Sequence, residues 1–269
     1  MNTAAERTPT HGPMYLRIAD DLRIRIETGE LAPGDPLPSL AQIAAEYGVS
    51  QGVARSAIGL LRGQALITTG QGRRPTVRGT RPLTMHSNTQ HQAEKDRVLW
   101  SEERRAKSGS LEDATGISLH EVSFRADYSR VSADREVPDF PEGTPLLRRE
   151  YETTDERGRR IAWSVSWLPI ALIEANPDLL DSKNEPWPGG TQHQLHTVGV
   201  EIAVVKETVW AKAPTTVDIE RWGMAAGEPL LMKLGTGFDH SDQPVTVGLA
   251  AYPAETSRLE FVTPLSRGQ

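Results

Sequence analysis

"EYGVSQGVARSAIGLLRGQALITTGQGRRPTVRG", Glu46 to Gly79, decides how the first third of this chain is read. Gly48-Val49 is a turn and Ser50 an N-cap. The cap opens a short helix whose apolar stripe is Val53, Ala57 (or Ala54), Ile58 and Leu61. "ALITT" and "PTVRG" follow as two short strands around "GQGRR". Upstream, Ser39 is the N-cap of "LAQIAAEY", which stops at Gly48. Two short helices joined at Gly48 make a helix-turn-helix, and the strand pair makes its wing. Further upstream, Leu16, Ile18, Ala19, Leu22 and Ile26 predict a helix from Met14 to Thr28 with Gly29 as its C-cap. The three prolines of "LAPGDPLP" prevent that helix from continuing.

A winged helix-turn-helix places its second helix in the major groove of double-stranded DNA. The exposed start of that helix offers Gln51, Gly52, Arg55 and Ser56. Arginine pairs bidentately with guanine and glutamine with adenine, while Gly52 permits close approach. Ser39 and Ser50 mark helix N-termini, where backbone N–H groups face phosphates. In the wing, Gly72, Arg73 and Arg74 suit the DNA backbone or a narrow minor groove. Charge distribution agrees. Residues 1–82 hold ten arginines, no lysine and seven acidic residues, in a chain whose net charge is −6. A basic unit is joined to an acidic one.

A chain of 269 residues fits two domains. We expect an arm at 1–12, the DNA-binding domain at 13–79, a polar linker at 80–92 and a second domain at 93–269. In the second domain "DRVLWSEERRAKSG" predicts a helix. "TPLLRREYETTD" and "RIAWSVSWLP" predict a hairpin turning at Gly158, and "VEIAVVKETVWAKAP" a strand. "TTVDIERWGM" predicts a helix, "EPLLMKLGTGFDHSDQPVTVGLAAYP" a second hairpin turning at Asp239–Gln243, and "RLEFVTPL" a last strand. The fold class is α+β with an antiparallel sheet. The absence of cysteine excludes disulfides and thiolate chemistry. No apolar run is long enough for a membrane span and no leader is visible, so the expected location is cytoplasmic. His193 and His196, spaced i, i+3, lack a third ligand, so no metal and no cofactor is expected. Trp163, Trp167, Trp187, Trp210 and Trp222 read as core and interface residues before an aromatic cage, and Glu102, Glu103, Arg104, Arg105 and Lys107 as a solvated helix face.

Residues 14–79 resemble the GntR family of bacterial transcription factors. The match runs through "YLRIADDLRIRIETGELAPGDPLPSLAQIAAEYGVS", then Arg55, "ALI" and the "QGR" wing. The remainder resembles the effector-binding UTRA domain of the HutC-type subfamily, through "GTPLLRR", "SWLP" from Ser166, "GGTQHQL", "AAGEPLL", "QPVTVGLAAYPA" and "RLEFV". The resemblance implies a chorismate lyase-like fold that binds a small metabolite, and a homodimeric regulator, most often a repressor, on a palindromic operator. It implies effector contacts at Arg148 or Arg149, Ser164, Ser166, Gly190, Thr191, Thr246 and Tyr252. Ser164 and Thr246 stand where sugar-phosphate sensors carry acids, which argues against an amino-sugar phosphate. Leu40 and Ala41 replace the family's Glu-Arg pair, and Arg74 replaces the second wing glycine. Base readout then falls to Arg55 and Gln51. Two other classes compete. One is a DNA-binding module whose second domain only dimerises. The other is an enzyme with the lyase-like fold, for which no activated nucleophile or paired carboxylates stand out.

Overall fold

The computed structural model describes residues 12–68, 73–79, 83–106, 122–135, 137–156, 158–224 and 227–265. The expected arm through residue 11, Gly72 of the wing and Lys107 lie outside these residues. The chain divides into two compact units. One is residues 1–82 with 213–215 and 224–228, and the other holds the rest. No helix among the described residues is long and apolar enough to cross a membrane.

The first unit is built on three helices: α1 (Met14–Glu27), α2 (Leu40–Tyr47) and α3 (Gln51–Gly63). Gly48 ends α2 in the left-handed conformation (φ 63°, ψ 38°), which a Cβ disfavours. Ser50 caps α3 two residues later. The apolar stripes converge on one core of Ile18, Ala19, Leu22, Leu37, Ile43, Ala54, Ala57, Ile58, Leu61, Ile67 and Val77. Ala54 and Ala57 are both buried, and Val53 lies at the edge of the stripe. Strands β1 (Ile67–Thr68) and β2 (Thr76–Val77) pair antiparallel as the wing. The proline-rich segment joins them: Pro36 bridges Thr76, and the Leu37 N–H donates to the Pro75 carbonyl at 2.8 Å.

The second unit holds a six-stranded antiparallel sheet made from two meanders. Strands β4 (Ser123–Ser132), β5 (Pro145–Thr154) and β6 (Arg160–Pro169) form one. Strands β7 (Val204–Lys212), β8 (Leu230–Phe238) and β9 (Pro244–Pro253) form the other. The order is β4-β5-β6-β9-β8-β7. Segment 80–92, expected as a linker, is partly structured. Its β3 (Thr84–Ser87) pairs parallel with β10 (Ser257–Glu260), and α4 (Thr89–Arg97) begins within it. The pairing is between segments about 170 residues apart, so no local pattern announces it. The single helix expected near residue 100 is interrupted, with α5 (Glu102–Ala106) following α4 after a break. Arg105 turns back at that break and donates to the carbonyls of Val98 and Trp100. Helices α6 (Ile170–Ile173) and α7 (Gly190–His196) serve one face of the sheet, in a core with Leu147, Leu168, Leu179 and Leu195. The other face buries Val137, Phe140, Leu146, Val165, Trp167 and Val247. Helix α8 (Thr216–Trp222) ends in Trp222, which is also buried.

Leu61 is fully buried. Leu61→Ala removes three methyl-equivalents from a closed core and should cost about 2–5 kcal/mol. All six tryptophans lie beyond residue 99. Urea titration followed by helical circular dichroism should show an early transition for the first unit, while the tryptophan fluorescence transition stays in place.

Candidate DNA-binding surface and effector cleft

Both reading-head helices begin on a serine. The Ser39 hydroxyl accepts from the Gln42 N–H at 3.2 Å, and the Gln42 Oε1 accepts from the Ser39 N–H at 2.8 Å, a complete capping box. Ser50 Oγ accepts from the Val53 N–H at 3.4 Å. The two hydroxyls are therefore spent on their own helices, leaving the remaining first-turn amides for an anion. With Ala54, Ala57, Ile58 and Leu61 turned inward, Gln51, Gly52, Arg55 and Ser56 are exposed. Arg55, Gln51 and the exposed wing residue Arg73 make no hydrogen bond or ion pair among the described residues. Ser56 is less available, because its hydroxyl donates back to the Gly52 carbonyl at 3.2 Å.

Arg74 departs from expectation. Its Nη2 donates to the Leu37 carbonyl at 2.9 Å and to the Gln42 Oε1 at 3.0 Å. The side chain expected to grip DNA from the wing is thus tied to the first turn of α2. Gln42, which sequence reasoning passed over, is its partner. The only hint was the spacing Ser39…Gln42, which announces a cap and not a second acceptor role.

In the second unit the sheet register gathers most of the expected effector residues on one face. One transverse row crosses five strands as Arg149, Ser166, Gly248, Gly235 and Glu207. The next row is Tyr151, Ser164, Ala250 and Lys233. Tyr252 and Thr246 share this face by alternation. Gly248 lies on a central strand yet is only half-buried, and an added Cβ would meet nothing nearer than the Val165 carbonyl at 4.0 Å. The middle of the face is floored by small, half-buried residues, Ser164, Ser166, Gly235, Gly248 and Ala250, and is the candidate cleft.

Arg149 closes one end. It is 1% exposed. It donates to Ser166 Oγ at 3.1 Å, to Gln194 Oε1 and to Thr191 Oγ1 at 3.4 Å, all neutral acceptors. The guanidinium stands 6.0 Å and 5.8 Å from the ring centroids of Tyr128 and Tyr151. Both phenols donate to Glu185 Oε1, as does Gln194 Nε2 at 2.9 Å. Burial pushes the Tyr128 hydroxyl up to about 12, so it remains a donor. Among the described residues no carboxylate pairs directly with Arg149. Arg148, the other candidate, points to the opposite face and pairs with Glu150 at 2.8 Å. Its removal from the site follows from strand alternation.

At the other end, Glu207 Oε1 accepts from His91 Nε2 at 3.0 Å and Lys233 Nζ at 2.8 Å. The His91 hydrogen bond, with help from Lys233, holds the Glu207 carboxyl down at about 2. His86 stacks on Tyr252 with ring centroids 4.0 Å apart. Gly190 has φ +72°, and a Cβ there would sit 2.4 Å from Glu94 Oε1. That carboxylate accepts from the Gln192 N–H at 3.1 Å. The loop expected to offer amides to an anion already holds an internal one. His193 accepts from the Trp187 indole N–H at 2.9 Å, and the described residues contain no cluster fit for a metal.

Comparison with known proteins divides along the same line. Residues 14–77 match the family model "Bacterial regulatory proteins, gntR family". Over 62 residues the chain is 42% identical to the mannosyl-D-glycerate transport/metabolism system repressor MngR of Escherichia coli K12, covering 23% of this chain and 26% of that protein. Over 61 residues it is 36% identical to the HTH-type transcriptional repressor NagR of Bacillus subtilis 168, covering 23% and 25%. The chain thus spans about a quarter of the length of these relatives. A crystal structure of a GntR-family transcriptional regulator superposes with a TM-score of 0.68 at 24% identity, over 94% of this chain and 98% of that one. The two-part α+β fold is that of this solved structure.

Two outcomes follow from the geometry. The protein itself gives no reason for a glycine at 52, since an added Cβ would meet only Ser50 Oγ at 3.6 Å. Gly52→Ala should raise stability by about 0.5–1 kcal/mol in urea titration while weakening duplex binding; unchanged binding would refute close approach. The second concerns pH. Burial, then the Lys233 charge, lowers His86 from 6.5 to about 4. The folded state refuses a proton that the unfolded state accepts, so stability is full above pH 6.5 and declines as pH falls toward 4. The tryptophan-detected urea midpoint should drop across that window, and less steeply in His86→Phe.

Proposed function

We propose that this chain, whose residues 14–77 belong to the GntR family of bacterial regulatory proteins, is a homodimeric transcriptional repressor. A small anionic metabolite entering the cleft beside Arg149 releases it from its operator. Likeness to two repressors supports the sign of regulation. Those matches cover the DNA-binding region only, so they carry no effector identity across.

The observation that carries the effector reading is the sealed guanidinium of Arg149. Burying a cation without a counter-ion costs several kcal/mol unless its donors are satisfied. Three of its five N–H groups go to neutral oxygens. A bound carboxylate or phosphate supplies the missing charge beside Ser166 and Thr191, with Ser164 and Tyr252 bordering the floor. The DNA reading rests on bare Arg55 and Gln51 at the capped start of α3. A dimer places two such helices about 34 Å apart on a two-fold operator. In this reading residues 13–79 act on DNA, residues 93–269 sense the effector and dimerise, and the site of action is the cytoplasmic chromosome.

The test is to select duplexes from a random pool with the full chain, confirm a dimer by sedimentation, and screen anionic metabolites for release. Arg55→Ala should lose about 1–3 kcal/mol on the selected duplex and less on a scrambled one. Arg73→Ala should weaken both alike and lower the salt slope by about one. Release by the active metabolite should vanish in Arg149→Gln. If no duplex is enriched the DNA reading fails. If no metabolite releases the DNA, the second unit serves only dimerisation.

A further inference from the structure

Arg74 and Gln42 are the pair the expected function does not absorb. A guanidinium has five N–H donors arranged along two two-pronged edges, and both edges use Nη2. Arg74 spends Nη2 on two acceptors at once, the Leu37 carbonyl at 2.9 Å and Gln42 Oε1 at 3.0 Å. Guanine recognition needs one of those edges intact. What remains is Nε–H and the Nη1 hydrogens, suited to single bonds with phosphate oxygens. The residue as a whole is exposed. The first turn of α2, Leu40-Ala41-Gln42, contains no charge of its own. Gln42 Oε1 is meanwhile fixed by the Ser39 N–H at 2.8 Å, so the acceptor that holds Arg74 is itself held.

Resting on the DNA-binding reading, we propose that Gln42 is a positioning residue that anchors Arg74 on α2. The wing's cation thereby becomes a fixed phosphate contact at the start of α2 and not a reader of bases. The capping box has two tasks: it starts the helix, and it locks the wing strand to it through residue 74. This departs from a mobile arginine on a glycine wing, which could swing between phosphate and base edge.

The experiment uses the full chain, the selected duplex and a scrambled duplex at several salt concentrations. Arg74→Ala should weaken both duplexes by the same factor, leave their ratio within about twofold, and lower the salt slope by about one. A fall in that ratio of roughly 5- to 150-fold, the size of a lost bidentate base contact, would overturn the assignment. Gln42→Ala tests the anchoring in a double-mutant cycle. It should weaken DNA binding when Arg74 is present and have no further effect in the Arg74→Ala background. An equal loss in both backgrounds would mean that Gln42 serves only as a helix cap, and the anchoring idea is then wrong. If the wild-type chain binds neither duplex, the DNA reading has failed and this inference falls with it. Both variants that bind poorly are first checked for native circular dichroism.

Discussion

Gly48, Val49 and Ser50 give α2 and α3 three residues in which to change direction, and the first unit follows from that shortness. A left-handed residue must come first to end α2, and a side-chain acceptor must come last to open α3. The angle between the helices leaves Ala54, Ala57, Ile58 and Leu61 facing Ile18, Leu22 and Ile43. Once that stripe is inside, the outward positions are determined by the helical period: 51, 52, 55 and 56. The protein does not choose to expose Arg55. It buries Ala54, Ala57, Ile58 and Leu61, and Arg55 is left on the other side of the helix.

The second unit depends on a narrower join. The two meanders meet only where β6 pairs with β9, from Ser164 opposite Ala250 to Trp167 opposite Val247. The floor of small residues lies across this join. Arg149 and Tyr151 come from one meander, Glu207 and Lys233 from the other. Residues at the join are small on the cleft face (Ser164, Ser166, Gly248, Ala250) and large on the other, where Val165, Trp167 and Val247 are buried. The join is therefore packed with large side chains on one face and small ones on the other. A ligand in the candidate cleft would touch both halves at once.

What could be read from the sequence was whatever depends on bonds a few residues long. The caps at Ser39 and Ser50, the stop at Gly48 and the hairpins at Gly158 and Asp239–Gln243 are of this kind, and the structure has them. The cleft was legible in part: Arg149, Ser166 and Thr191 do converge, but the choice between Arg148 and Arg149 depends on strand register, which no single strand reveals. Three features were illegible because their partners are remote. The parallel pairing of β3 with β10 turned polar linker sequence into strand. Glu94 reaches Gln192 across 98 residues. Arg74 reaches Leu37 and Gln42 across more than 30. In each case the local composition was compatible with solvent exposure, and only tertiary proximity decided otherwise.

Under the proposed function, Arg74 and Arg149 would give the same group opposite roles. Each donates to neutral oxygens and neither is matched directly by a carboxylate among the described residues. Arg74 is an exposed residue, and a charge at the surface is already solvated; losing that water to a phosphate returns little beyond the released counter-ions. In the proposed role such a cation would strengthen binding to any duplex and distinguish none. Arg149 is 1% exposed. Around it stand three neutral oxygens, two tyrosine rings and a Glu185 reached through Gln194, Tyr128 and Tyr151. In that low-dielectric setting an arriving anion gains far more from the same guanidinium than it would on the surface. An anion whose shape fails to reach the cleft gains none of it. Burial is what converts a general cation into a selective one, and on the proposed function the two units would hold an arginine on either side of that boundary.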